Sequence, residues 1–426
     1  MSVMPKIGLM INPYKVLLAS ILILLFFHDF IFLNMAYALG GQYGLNLWKE
    51  LISLIFLCLF FCGVLLRGGL GFSEAKIFIV LAMLLLALLV FGDFSEASLR
   101  TFRSVFTPFV FAVMVGRLMS NETEQRFRFF LNLLLFIAFL GGGYGLYQSF
   151  SIKEWQDFWY YHPLISMDLE IHEYDSFRDG VPRISGFFTS PLDFSFFIVF
   201  VFFIGVSSFF VLGERGSASS ISKKGKLFLF LILSFLVYIV FQSTVRSAQL
   251  CLFTAFGYLL LLLFLKSRIA VVITGGVYVL SLSVATFLYI GLGYTDDLSA
   301  LGRLEQWGFL LTKIVSNPLG LGFASVGPGQ QYWFDSFWLN LMASFGLCSI
   351  FFIVGFIFFY FKLVGIYISM RAFRGSYIKS FSLAVLVLMP VFFYGALFQS
   401  FYNSPGFYLL LMIVSMVLYG TKASQV

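Results

Sequence analysis

Apolar runs of membrane-spanning length recur from one end of this chain to the other, and that pattern restricts the folds open to it. Inside a bilayer every backbone N–H and C=O must find a partner within the protein, so only helices and closed barrels cross it. A helical span needs about 20 mostly apolar residues. Sixty per cent of the 426 residues are hydrophobic and 11% are charged, against about 25% charged in a soluble domain. A soluble globular domain, a disordered chain and a secreted disulfide scaffold are excluded. So is a transmembrane β-barrel, whose lumen-facing positions are polar. Cys58, Cys62, Cys251 and Cys348 all fall in apolar runs. They read as small buried hydrophobes, with neither a disulfide framework nor metal-ligand spacing.

The expected fold class is an all-α polytopic membrane protein of about twelve transmembrane helices, a single integral domain over 1–426. The spans read as about 15–37, 48–66, 75–92, 101–118, 128–149, 191–212, 227–242, 247–265, 269–290, 336–360, 380–398 and 405–420. The last two are separated by the polar turn Gln399 to Ser404. The first is expected to be a true span, too long for a cleaved leader and without a small-residue cleavage site.

Lys and Arg set the orientation. With the N-terminus inside, 18 of the 27 fall on the inner side and 9 on the outer. Both termini are therefore expected in the cytoplasm. The net charge of +7 is a topology signal and no nucleic-acid footprint. Acids run the other way, with fifteen of the twenty Asp and Glu at the outer face or its edge. Two outer connections are long, about 150–190 and 291–335. Function is sought there, since long ordered loops are rarely mere connections.

The first loop carries Trp155, Phe158, Trp159, Tyr160 and Tyr161, which read either as an interfacial aromatic belt or as a platform for sugar rings. Beyond Glu173 and Asp175 it continues to Arg178 and then Arg183-Ile-Ser-Gly-Phe-Phe-Thr-Ser-Pro191. Gly186 and Pro191 make an irregular entry into the sixth span, a feature tolerated only where protein or a cavity covers it. Arg178 reads either as a solvated charge beside Asp175 or Asp179 or as an anion contact; Arg183, at the entry itself, is the stronger candidate. Between the seventh and eighth spans lies Gln242-Ser-Thr-Val-Arg246-Ser-Ala-Gln249. If helical, Gln242, Arg246 and Gln249 share one face. Arg246 either snorkels to the headgroups or grips a phosphate with its planar fork.

In the second loop Leu304, Trp307, Leu311 and Ile314 recur at helical spacing, predicting an amphipathic helix too short to span. Asn317-Pro318 stops it, and Leu319-Gly-Leu-Gly322 makes a close-packing turn. Asp335 opens the tenth span, either as an N-cap or as a carboxylate at the mouth of an outward cavity, available as a general base.

Arg183-x-Ser-Gly-x-Phe-x-x-Pro191, Ser243-x-x-Arg246-Ser247, Arg303 before the amphipathic helix, Asn317-Pro-Leu-Gly-Leu-Gly322 and Asp335 ahead of Gly346, in this order, resemble the O-antigen polymerase and ligase superfamily (the Wzy and WaaL type) over roughly 180–350. The first five spans match only in hydropathy. The resemblance implies a GT-C-like membrane glycosyltransferase in a bacterial inner membrane, with no metal or nucleotide cofactor. It implies an undecaprenyl-pyrophosphate-linked oligosaccharide as substrate, whose pyrophosphate is held by Arg183, Arg246 and Arg303. Membrane lipids are expected around it, and whether a chain-length regulator binds is left open. Ligases of this kind carry a His where Asp335 stands, and His28, His162 and His172 all lie elsewhere. That favours a polymerase over a ligase, with Asp335 as the leading catalytic base and Glu173, Asp175 and His172 behind it. Arg246 is assigned to both binding and catalysis, and Arg178, Trp159 and Tyr160 to substrate binding. A lipid-linked oligosaccharide flippase is the rival from another class; it predicts charges inside the bundle, where sequence gives little beyond His28 and Asp29.

Overall fold

The computed structural model describes residues 13–31, 48–66, 86, 89–92, 95–119, 124–151, 177–178, 181–188, 190–213, 221–292, 298–323, 325–327, 331–370, 376–402 and 404–423. Among them the chain forms α1 (Pro13–Phe26), α2 (Trp48–Leu66), α3 (Glu96–Met119), α4 (Glu124–Phe150), the short strands β1 (Phe177–Arg178) and β2 (Val181–Pro182), α5 (Pro191–Leu212), α6 (Lys223–Gln242), α7 (Arg246–Phe264), α8 (Arg268–Gly291), α9 (Leu298–Ser316), α10 (Phe337–Phe345), α11 (Ser349–Met370), α12 (Tyr377–Gly395) and α13 (Pro405–Ala423). Eight helices among the described residues are long and apolar enough to cross a membrane, with α10 and α11 counted as one; Tyr14–Phe26 and Pro405–Gly420 are shorter apolar helices. The protein is an all-α, multi-pass membrane protein. The expected span at about 75–92 lies almost wholly outside the described residues.

Burial sorts the helices. In α5 and α12 the apolar window is 89% buried, whereas in α8 it is 17% buried. The first two therefore form the centre, and α13 packs along α3, α5 and α12 beside them. On α8, Ile269, Ile273, Val277, Leu280, Val284 and Leu288 are exposed at helical spacing, the outward apolar stripe of a helix facing lipid. Polar groups inside the bundle pair across helices. Tyr258 and Tyr360 share a hydrogen bond of 2.6 Å and Thr254 meets Tyr278 at 3.1 Å, tying α7 to α11 and α8. Such bonds hold helices that gain no hydrophobic drive from one another in lipid.

Helix starts follow their capping residues. The Ser190 hydroxyl accepts from Asp193 N–H and Pro191 takes the first helical position, so α5 begins where the sequence placed it. Ser222, Ser336 and Ser376 cap α6, α10 and α12 in the same way.

Three expectations are corrected. The tenth span is broken: α10 ends at Phe345, Gly346 adopts φ +55°, and a 3-10 turn over Gly346–Cys348 leads into α11. The Arg246 segment is no continuous helix, because Thr244 takes φ +54° between α6 and α7. Gln242 therefore leaves the helical stripe, and only Arg246 and Gln249 remain on one helix. Cys58 and Cys62 are exposed on α2, whereas Cys251 is buried; an apolar surface bounded by lipid accepts a thiol as readily as the core does.

Candidate functional site

The amphipathic helix of the second loop forms as α9, and it sets Arg303 against Asp335. Arg303 Nε lies 3.7 Å from Asp335 Oδ2, with the arginine side chain 22% exposed and the aspartate 49%. The Asp335 N–H donates to Gln306 Oε1, one turn along α9, at 3.2 Å. Trp307, one turn after Arg303, packs edge-on against Phe287 of α8. Leu310, Val326, Phe334, Leu339 and Ala343 form a small separate core that clamps α9 onto α10. The N-cap reading of Asp335 does not hold, because Ser336 performs that job: its hydroxyl accepts from Leu339 N–H at 3.3 Å. The Asp335 carboxylate is left at the surface, facing a guanidinium.

The ion pair is too long for a hydrogen bond. Arg303 Nε is buried and has no hydrogen-bond acceptor among the described residues, and the same is true of Arg183 Nε. A buried donor without an acceptor costs about 1–3 kcal/mol. Both guanidinium groups therefore hold a buried N–H that the described residues leave without an acceptor.

Arg183 is positioned by a short irregular passage. The β1–β2 hairpin pairs Phe177 with Pro182 and Arg178 with Val181, and the chain then passes beneath α4. Gln148, fully buried near the end of α4, donates to Gly186 O at 2.8 Å and accepts from Ser185 N–H and Gly186 N–H at 3.0 Å each. Gly186 sits at φ +58° with the Phe194 ring pressed on it; a Cβ there would lie 2.5 Å from the ring. The irregular entry expected from sequence is thus covered by protein, and Arg183 is held half-buried at its edge.

Arg246 opens α7, and its side chain is exposed. The strained Thr244 is stabilised on one flank by Ser243, which donates to Val240 O at 2.7 Å, and Gln249 donates to Phe241 O at 3.3 Å. Helix alternation puts Arg183, Arg246, Arg303 and Asp335 at one end of the bundle. The structure joins Arg303 to Asp335 directly; Arg183 and Arg246 stand on separate elements at that end.

A polar chamber missed in the sequence lies at the same end. It is a cavity of about 190 Å³ lined by His28, Asp29, Lys49, Asp193, Tyr402 and Tyr408 with Leu25, Phe188 and Pro405. The His28 Nδ1 accepts from Trp48 Nε1 at 3.1 Å. Lys49 is 5% exposed and sits over the Tyr408 ring at 5.5 Å. Beside it Arg103 and Glu50 pair at 3.0 Å. Ionisable side chains at this depth are costly unless they pair or line a wet cavity, and they mark function.

The turn between α12 and α13 connects the two clusters. Gln399 donates to Asp193 Oδ1 at 2.5 Å on the chamber side. Its own carbonyl accepts from Phe337 N–H at 2.9 Å, and Ser336 donates to Ala396 O at 2.8 Å on the Asp335 side. Asn340 of α10 donates to Ser400 Oγ at 3.2 Å. One hydrogen-bonded ribbon thus runs from Asp335 to Asp193. The sequence signals for the chamber were His28 and Asp29 inside the first span, and Lys49 and Asp193 at span edges, with nothing in the sequence to bring them together.

Glu173, Trp159, Tyr160, Asp175 and His172 lie outside the described residues, and of Arg178 only the backbone pairing is described. Among the described residues no group of three or more His, Cys, Asp or Glu converges as a metal site would. No known family model matches the chain, and no curated protein or solved structure is detectably similar to it.

Proposed function

We propose that the protein is a membrane glycosyltransferase that polymerises a polysaccharide on the outer face of a bacterial plasma membrane. Its substrate is a glycan carried on undecaprenyl pyrophosphate, and its acceptor is a lipid-linked repeat unit. The observation that carries this reading is the half-buried guanidinium of Arg303, with an unsatisfied N–H, set 3.7 Å from a solvent-reaching carboxylate. An anion-seeking donor and a proton acceptor side by side are what such a transfer requires.

The bond between the anomeric carbon and the pyrophosphate oxygen breaks, and negative charge grows on the departing diphosphate. Preorganised guanidinium groups lower the barrier by meeting that charge as it forms. Arg303 and Arg183 supply the buried donors, and Arg246 adds a third from the start of α7. The acceptor hydroxyl attacks the anomeric carbon, and Asp335 takes its proton. The ion pair with Arg303 orients the carboxylate until diphosphate competes for the guanidinium.

The polar chamber favours one second reading. His28, Asp29 and Asp193, gathered with the buried Lys49 around one cavity, are the internal charges that a lipid-linked oligosaccharide transporter would need. Glycan profiles of cells separate the readings. Arg246→Ala and Arg303→Ala are expected to remove long glycan while single-repeat products persist and the protein stays in the membrane. Long polymer retained on its carrier lipid would instead indicate a ligase, and loss of repeat units from the outer face a transporter. Unchanged long glycan in both variants would count against the polymerase.

A further inference from the structure

At the end of the bundle opposite Asp335 lies a second cavity, of about 710 Å³, which the polymerisation chemistry does not use. It is enclosed by the last turns of α5, α7 and α11, the α7–α8 connection and the first turn of α12. Its walls are apolar, with Phe210, Leu263 and Phe264 prominent; Phe264 is 79% exposed, so one lip is open to the surroundings of the bundle. Among the described residues its polar groups are Lys266, Lys379 and the Tyr367 hydroxyl, and none of the described lining residues is a carboxylate.

The two lysines differ in setting. Lys266 is exposed on the turn after α7. Lys379 is 8% exposed and stands in the first turn of α12, where Ser376 caps its backbone N–H. A cation in a first turn meets the positive end of the helix dipole, whereas an anion there is favoured. An anion in the cavity would therefore interact favourably with both ammonium groups and with the helix terminus. Arg268, the first residue of α8, reaches toward α11, where a Cβ added at Gly365 would lie 3.6 Å from its guanidinium.

We infer that this cavity binds an anionic phospholipid from the leaflet at that end, which is the cytoplasmic leaflet in the orientation read from Lys and Arg. The headgroup phosphate lies between Lys266 and Lys379, and an acyl chain runs over Phe210, Leu263 and Phe264 to the open lip. Basic pockets between transmembrane helices on that side hold anionic headgroups. A free phosphate shares the charge but gains nothing from the apolar wall, so lipid is the favoured source. The inference is independent of the polymerase reading.

The test is thermal unfolding of the purified full chain in mild detergent, titrated with phosphatidylglycerol, phosphatidylcholine or inorganic phosphate. Phosphatidylglycerol is expected to raise the melting temperature saturably, and the other two are not. A lysine near a headgroup contributes about fivefold in affinity, so Lys266→Gln with Lys379→Gln is expected to weaken the response about thirtyfold. Lys224→Gln, basic and exposed at the same end but outside the cavity lining, is expected to leave it unchanged. Should the Lys379 variant fail to fold, Lys266→Glu alone is expected to weaken the response by more than fivefold. An equal shift with phosphatidylcholine, a shift with inorganic phosphate alone, or a full response in the lysine variants would each overturn the inference.

Discussion

Replacing Gly346 by Ala should damage both stability and chemistry, although the residue touches neither cluster. Gly346 ends α10 at φ +55° and ψ −134°, a region held almost only by glycine that costs an ordinary residue about 1–3 kcal/mol. A Cβ there would also collide with Pro318 O and Gly320 N and lie 2.7 Å from Leu319 C. These are backbone atoms of the turn that ends α9, and that turn is fixed by Leu347 N–H to Pro318 O at 2.8 Å and Leu321 N–H to Ala343 O at 2.7 Å. Relief by side-chain rotation is not available, so overpacking adds about 1–3 kcal/mol. The total is about 2–6 kcal/mol. Because the displaced turn carries α9, Arg303 moves relative to Asp335, and a misplacement of about 1 Å costs roughly 100-fold in rate. Unfolding in mild detergent measures the first effect and glycan chain length the second. Gly308→Ala is the control: on the same α9, its added Cβ meets nothing within 4 Å, and it should stabilise the helix by up to about 1 kcal/mol. If Gly346→Ala unfolds no more readily than Gly308→Ala, the α9–α10 clamp is not what positions Arg303.

Two further substitutions probe the supports of the site. Gln148→Leu strips partners from Gly186 O, Ser185 N–H and Gly186 N–H. Unsatisfied buried groups cost about 1–3 kcal/mol each, so with three of them denaturant titration should show a loss of at least about 3 kcal/mol, and protease should cut the Arg183 passage faster. Asn340→Leu removes bonds to Phe334 O at 2.7 Å, Ser336 O at 3.0 Å and Ser400 Oγ at 3.2 Å, and the one from Phe334 N–H at 3.1 Å. It should lower stability by about 2–4 kcal/mol and shorten the glycan product, whereas an unaltered product would show that the ribbon does not align Asp335.

Hydropathy made most of the helical architecture legible, since the bilayer allows few alternatives. The start of α5 was readable from Ser190 and Pro191, and the end of α9 from Asn317-Pro318, because these signals are local. The break at Gly346 was not readable: its left-handed conformation is useful only once the Pro318 turn packs against it. Asp335 read as an N-cap, and only the hydrogen bond from Leu339 N–H to Ser336 Oγ shows that the neighbouring serine is the cap. The polar chamber was hidden for a different reason. His28, Asp29, Lys49 and Asp193 come from three separate spans; Lys49 and Asp193 sit at span edges, where a charge is ordinary, and His28 and Asp29 alone stood inside a span. Their convergence is a product of helix packing, as is the role of Gln399, which in sequence is one more polar residue in a turn.

The most direct test of the outer-face account is polymerisation by the purified protein in liposomes, given an undecaprenyl-pyrophosphate-linked repeat unit in the presence of EDTA. The native chain is predicted to build a glycan ladder. Arg303→Ala and Asp335→Asn are predicted to lose it by about 100-fold or more in rate, with unfolding behaviour preserved. A ladder built as fast by both variants as by the native chain would contradict the account.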